Sequence, residues 1–299
     1  MQSFLSIKSQ KNSSLNSHIF NKADQLHKAL LQELAAGKTI GFVPTMGALH
    51  DGHRSLVIRA LAENDVVVCS IFVNPTQFNN LSDFQKYPHT EENDIQLLDS
   101  INCHYIFIPT VDEMYLDDPK LLELNFGSLE NTMEGEFRPG HFKGVATIVD
   151  RLFKIVIPNN AYFGEKDFQQ LAIIRSMAVQ MKHTVTIIAC TTLREEDGLA
   201  MSSRNLLLNS DQRKAAALIY KGLRKAQEFI PHQSVDAVRT LVIRYIEQSP
   251  LLRVQYFNIV DPITLENITT WNKNSEVQGC IAVLTEGPRL IDNIKYSIE

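Results

Sequence analysis

The chain has 299 residues, 44% hydrophobic and 21% charged, with a formal net charge of −5 at pH 7. That length suits two domains that each bury a core, and the composition excludes a disordered chain. The acidic balance argues against broad binding of nucleic acid or an anionic membrane surface, so any phosphate site must be local.

Met1 to Phe20 is rich in Ser, Asn and Lys, has neither acidic residue nor Arg, and lacks the apolar core of a signal peptide. It reads as a frayed polar extension, and with no apolar stretch of membrane-spanning length a cytoplasmic location is expected. A helix over Ala23 to Leu34, stopped by Gly37, precedes a strand over Thr39 to Val43. The β-branched run Val66 to Val73 reads as a strand buried on both faces, and Tyr105 to Ile108 repeats it after a helix over Glu91 to Leu98. Beyond lie a helix over Val145 to Val156, a short strand over Ala161 to Phe163, a helix over Phe168 to Met181 and a strand over Thr184 to Ala189. Strands alternating with helices predict an α/β fold with a doubly wound parallel sheet and ligands at the strands' carboxyl ends.

After Leu193 the texture changes. A charged, glycine-containing loop, Arg194 to Asn205, leads to a helix starting near Asn209-Ser210-Asp211. A second helix is capped by Ser234, and short strands follow over Val254 to Val260 and Gly279 to Leu284. These predict a smaller C-terminal α+β domain. The four cysteines, Cys69, Cys103, Cys190 and Cys280, are far apart and read as reduced core thiols.

The most informative stretch is Pro44-Thr45-Met46-Gly47-Ala48-Leu49-His50-Asp51-Gly52-His53, a strand, a loop and then a helix start at Leu56, Val57, Ala60 and Leu61. A helix N-terminus offers unpaired N–H groups and a positive dipole end to an anion, and Gly52 is expected to let a ligand approach the backbone. His50 and His53 fall on one face of a first helical turn and can reach one ligand group. Solvated surface histidines or one core and one exposed histidine are the bland readings; no nearby Cys or His completes a zinc set. His-x-Gly-His after a strand resembles the signature of adenylate-transferring Rossmann enzymes.

Four further segments fall where sheet-end loops should lie. Asn74-Pro75-Thr76-Gln77-Phe78 follows the buried strand and can offer amides to a hydroxyl or carboxylate, or form a plain Asn-Pro turn. Arg138-Pro139-Gly140-His141-Phe142 is a rigid turn entering a helix. Phe163-Gly164-Glu165-Lys166-Asp167-Phe168-Gln169-Gln170 puts a cation at a helix start, where the dipole disfavours it unless an anion intervenes. Gly198-Leu199-Ala200-Met201-Ser202-Ser203-Arg204-Asn205 carries two hydroxyls and a guanidinium on a segment that can close over a polyphosphate or serve as a polar linker.

Taken in order and spacing, these segments resemble the pantoate–beta-alanine ligase (pantothenate synthetase) family from about Gly37 to Asn205, and more weakly onward. The resemblance implies a Rossmann-like ATP- and pantoate-binding domain over residues 1–192 and a lid domain over 193–299, usually in a homodimer. It also implies ATP-dependent joining of pantoate to β-alanine through pantoyl adenylate, with AMP and pyrophosphate released and Mg2+ accompanying the ATP. Its ATP site maps onto Met46, Gly47, Ala48, Leu49, His50, Asp51, Gly52 and His53, then Gly164, Glu165, Lys166 and Asp167, then Leu193, Met201, Ser202, Ser203 and Arg204. His53, His50 and Lys166 match the catalytic positions, with His53 the family's proton donor. Gln77 and Gln170 match its pantoate-binding glutamines, and Asp94 an acidic residue that can hold magnesium. Arg138 is open to a role at β-alanine or at the dimer contact. After Tyr87-Pro88 the family commonly has arginine where this chain has His89. A nucleotidyltransferase would share His-x-Gly-His and the closing loop, but has no use for paired glutamines at an acid pocket.

Overall fold

The computed structural model describes residues 15–79, 84–85, 87–115, 120–230 and 232–298. A six-stranded, wholly parallel sheet is built from β1 (His18–Phe20), β2 (Ile40–Thr45), β3 (Val66–Ile71), β4 (Tyr105–Phe107), β5 (Asn160–Gly164) and β6 (Thr186–Cys190). Its spatial order is β1-β4-β3-β2-β5-β6. From β2 the chain steps one way through β3 and β4 and the other way through β5 and β6. The direction reverses between β2 and β5, the crevice where open α/β sheets take ligands.

Helices α1 (Ala23–Ala35), α2 (Asp51–Glu63), α3 (Glu91–Ser100), α4 (His141–Val156) and α5 (Phe168–Gln180) flank the sheet. Every residue of β3 is buried, as a strand covered on both faces requires. One apolar cluster joins Leu26 and Leu30 of α1, Phe42 of β2 and Val149 and Phe153 of α4; a second, on the other face, joins Val43, Val57, Ala60 and Leu98.

The C-terminal part packs α6 (Ser210–Ala226) and α7 (Val235–Ile246) on an antiparallel sheet of β7 (Arg253–Val260), β8 (Glu276–Leu284) and β9 (Leu290–Ser297). Asn209 caps α6, with Gln212 bonding back to the Asn209 N–H at 3.0 Å, and Ser234 caps α7. This part has its own core, around Leu199, Leu223, Val242, Phe257 and Ile281. A small cluster of Met133, Val260, Leu265 and Cys280, with Phe168 and Tyr256 against it, joins the two parts. All four cysteines are buried and free. Among the described residues no helix is long and apolar enough to cross a membrane.

Three departures from the sequence reading have physical causes. Residues His18–Phe20, expected in a frayed extension, pair in parallel with Tyr105–Phe107 as an edge strand; residues 1–14 lie outside those described. Helix α4 starts at His141 rather than Val145, because Gly140, at φ 81°, turns the chain into it from the left-handed region. A third C-terminal strand, β9, was not expected, since Asp292 and Asn293 interrupt its apolar run.

Candidate active site

The β2–α2 connection turns through two successive left-handed residues, Gly47 (φ 80°) and Ala48 (φ 50°). That geometry aims consecutive N–H groups at one point, making a concavity for an anion. The anion is internal. Asp94, reaching over from α3, accepts the Ala48 N–H on Oδ2 at 2.9 Å and the Leu49 N–H on Oδ1 at 2.8 Å, while Thr90 Oγ1 donates to Oδ1 at 3.1 Å. A side chain at Gly47 would be strained, since φ is 80° and a Cβ would sit a tight 3.0 Å from Asp94 Oδ2 and 3.2 Å from Ile71. Asp94 is buried at 2% exposure and lines neither part of the cleft described below. Both its oxygens are engaged with backbone or Thr90, so Asp94 shapes the turn, and its expected duty as a magnesium ligand stays a proposal.

Helix α2 opens with a reciprocal cap made of imidazoles. His50, at the N-cap, accepts the Gly52 N–H on Nδ1 at 3.1 Å, and the His50 N–H donates to His53 Nδ1 at 3.4 Å. This is capping-box logic with ring nitrogens in place of hydroxyl and carboxylate. The rings lie 4.1 Å apart, centroid to centroid. Because each Nδ1 accepts, each neutral ring carries its proton on Nε2. Burial, then the Lys166 ammonium, lowers His50 to about 4; burial, then His50 and Lys166, lowers His53 to about 3. At neutral pH both rings are therefore neutral N–H donors. Gly52 lines the cleft, and a Cβ there would also meet the His50 ring at 2.8 Å.

Neighbouring β5 ends at Gly164, and Glu165–Asp167 form a 3-10 turn leading into α5. Lys166 is half-buried, its ammonium 3.7 Å from Asp167 Oδ1. The turn is held from the C-terminal sheet: Asn293 Nδ2 donates to Glu165 O at 2.9 Å and to Lys166 O at 2.8 Å. Of the paired glutamines in α5, Gln169 is structural, donating to Leu129 O and Thr132 O and accepting the Glu134 N–H. Both glutamines border the cleft, and Gln170 is the one with no bond to the loop over Leu129 to Glu134.

Gln77 also lines it, oriented by Asn74, whose Nδ2 donates to Gln77 Oε1 and to Gly144 O, both at 3.2 Å. Asn74, 1% exposed, spends its amide on this scaffold rather than on a ligand. Gly144 permits the approach, since a Cβ there would lie 2.5 Å from Thr76 O. His141 Nδ1 donates to Gln77 O at 2.8 Å, its Nε2 accepting from Arg138 at 3.1 Å; burial and then Arg138 lower this imidazole to about 3.

The segment from Arg194 onward is anchored at both ends. Arg194 donates to Asp292 at 2.7 and 3.0 Å, and Met201 N–H returns to Leu193 O at 3.0 Å. Ser203 Oγ donates to Ala48 O at 3.0 Å, docking the segment on the histidine turn; Ser202 caps its own 3-10 turn by accepting the Arg204 N–H. The expected lid is thus in contact with the site, and its two serines do different things.

Together these elements line a cleft of about 240 Å³ that includes Met46, His50, His53, Gln77, Lys166, Gln170, Leu193 and Met201 to Arg204. It continues into a wider space of about 720 Å³ lined by Arg138, Lys166, Arg204 and Arg289. Glu165 lines neither space, its carbonyl accepting from Asn293, and His89 is exposed. Sequence reasoning missed Tyr87, which is buried in the cleft wall, and the Asp292-Asn293 pair. A polar pair inside an otherwise apolar C-terminal run was the available signal.

A parallel sheet whose switch point carries a helix N-terminus, two neutral imidazole donors and a lysine defines a nucleotide-binding α/β enzyme. The comparisons give the family. The model for "Pantoate-beta-alanine ligase" matches residues 18–295, and the chain belongs to that family. It is 50% identical over 262 residues to a pantothenate synthetase of Bacteroides fragilis, covering 88% of this chain and 93% of that one. To the Porphyromonas gingivalis pantothenate synthetase it is 48% identical over 278 residues, or 93% of this chain and 99% of the relative. The crystal structure of the Thermus thermophilus pantothenate synthetase superposes with a TM-score of 0.86 at 40% identity, over 93% of this chain and 98% of that one. The Francisella tularensis pantoate-beta-alanine ligase, solved in complex with beta-gamma ATP and beta-alanine, gives 0.78 at 37% identity, over 93% and 97%. The chain is a ligase that joins pantoate to β-alanine using ATP.

Proposed function

We propose that ATP lies across the N-terminus of α2 with its α-phosphate against the Nε2 edges of His50 and His53, and that pantoate lies against Gln77 and Gln170. A carboxylate is ionised at neutral pH, so the first step needs alignment and charge neutralisation rather than a strong base. A pantoate carboxylate oxygen attacks the α-phosphorus, the bond to the bridging oxygen breaks, and pyrophosphate leaves. The amine of β-alanine, unprotonated, then attacks the acyl carbon; the bond to the phosphate oxygen breaks, AMP departs, and the amine loses a proton as the amide forms.

The observation that carries this reading is the reciprocal cap. It occupies both Nδ1 atoms and leaves Nε2–H as the remaining donor of each ring at the switch point. Neutral donors stabilise charge that develops on phosphoryl oxygens without adding a cation that would hold the product AMP. His53 in this account donates a hydrogen bond rather than a proton. Lys166 supplies the fixed cation, and Met201 to Arg204 exclude water from the mixed anhydride.

Among the described residues no group of three His, Cys, Asp or Glu forms a metal cage. Magnesium would enter with the ATP, whose phosphates and water would supply most of its ligands. A homodimer, a cytoplasmic location and a division of the chain near residue 193 belong to the same reading. Incubation with ATP, Mg2+, pantoate and β-alanine, followed by mass spectrometry, tests it: AMP accumulates in step with pantothenate. ADP with an acyl phosphate would overturn it.

A further inference from the structure

The β9 residues Asp292 and Asn293 are neighbours in sequence but serve opposite sides of the cleft. Asp292, 4% exposed, holds Arg194 bidentately, and Arg194 also donates to Gly198 O at 3.1 Å, so this carboxylate fixes the base of the Met201 to Arg204 segment. Asn293, 7% exposed, turns to the other side and donates its two amide hydrogens to Glu165 O and Lys166 O. Those carbonyls belong to the peptide planes on either side of the Lys166 Cα. Peptide planes are rigid, so holding both fixes the φ and ψ of Lys166, and with them the direction of its Cα–Cβ bond. The amide itself cannot rotate over, because Gln278 Nε2 donates to Asn293 Oδ1 at 2.7 Å and the two carbonyls can only accept. Asn293 N–H is engaged as well, with Asp292 Oδ1 at 2.8 Å, and Asn293 O accepts from Arg194 at 3.2 Å.

Lys166 needs such support. It stands on a three-residue 3-10 turn ahead of α5, where no helical ladder yet holds the backbone, and a lysine stem is flexible. We infer that Asn293, oriented by Gln278, is a positioning residue for Lys166, so that the C-terminal sheet places the cation used in the adenylating step. The inference rests on Lys166 acting at the phosphates.

The test is a double-mutant cycle on the full-length enzyme, reading single-turnover pyrophosphate release with ATP and pantoate. Lys166→Ala alone tests the underlying reading: full activity there removes the lysine's role and the inference with it. With Lys166→Ala impaired, Asn293→Ala is expected to slow release about tenfold or more with little change in the ATP concentration required, and to add less than about twofold in the Lys166→Ala background. Equal slowing in both backgrounds would mean that Asn293 acts on general packing, and no slowing in the native background would mean that Lys166 holds itself; either overturns the inference. Should Asn293→Ala fail to fold, Gln278→Met goes through the same cycle, since it leaves Asn293 in place and removes only the donor that orients its amide.

Discussion

The turn carrying His50 and His53 and the turn carrying Lys166 stand at the ends of neighbouring strands, β2 and β5, and are held in different ways. The first is built within the parallel sheet's own part of the chain: the histidines cap their own helix, and Asp94 fills the concavity formed by Ala48 and Leu49. The second is pinned by Asn293, which reaches over from the antiparallel sheet more than a hundred residues later. The proposed donor pair is prefabricated locally. Lys166, proposed as the cation at the phosphates, is placed by the part of the chain that also anchors the Met201 to Arg204 segment, so the cleft is complete only when both halves are in register.

The largest effects should come from breaking the prefabricated side. His50→Ala or His53→Ala removes a donor to the transition state and half of the cap, so each should lower the adenylation rate by about 10²-fold and cost about 1 kcal/mol of stability. Stopped-flow pyrophosphate release and thermal melts check both. A rate defect with no change in melting would detach the cap from the catalytic geometry.

On the other side, Lys166→Ala should slow the chemical step by a comparable or smaller factor while leaving melting unchanged, because that side chain is not a structural cap. A lowered melting temperature with normal turnover would reverse the contrast between the two turns.

Asp94→Ala sharpens the comparison, since it leaves both Nε2–H donors and empties the concavity behind them. Two buried N–H groups lose their acceptor, at a cost of about 1–3 kcal/mol. The variant should melt earlier and bind ATP more weakly at any magnesium concentration. Rescue by raised magnesium would point instead to a metal-ligand role.

Among the serines the expected effects are smaller and unequal. Ser203→Ala loses the bond to Ala48 O and should raise both the ATP requirement and the AMP released without β-alanine, whereas Ser202→Ala frays only its own turn. Equal leakage from the two would deny that docking on Ala48 excludes water.

A separate effect is on stability against pH. His50, His53 and His141 have folded values of about 4, 3 and 3, below the ordinary 6.5 of an unfolded imidazole. Between those values the unfolded chain binds protons that the folded chain does not, so stability is highest above about pH 6.5 and falls as pH drops toward 3 to 4. His141→Gln should flatten the slope in that window, and an unchanged slope would mean that His141 is not buried as a neutral ring.

How much of this was legible in the sequence follows the same division. Pro44 to His53 announced itself because turn residues, histidine spacing and helix start are contiguous, and the alternation of buried strands and helices gave the parallel sheet. Gln169 and Gln170 could not be told apart by pattern, since what separates them is the loop over Leu129 to Glu134 that takes up Gln169. The hold of Asp94 on the histidine turn was illegible because a carboxylate on a helix start says nothing of the two N–H groups it meets 45 and 46 residues away. Strand β9 was illegible, although it pairs with β8 as a hairpin, because its alternation is broken by the two residues, Asp292 and Asn293, that do its work at the cleft.

The central claim is that the site directs the pantoate carboxylate onto the α-phosphorus. Turnover of pantoate labelled with oxygen-18 in its carboxylate, with ATP and β-alanine, tests it most directly. The oxygen that bonds to phosphorus leaves with the nucleotide when the amide forms, so mass spectrometry should find one labelled oxygen in each AMP and none in pyrophosphate. Unlabelled AMP, or label in a phosphate released alongside ADP, would contradict the account.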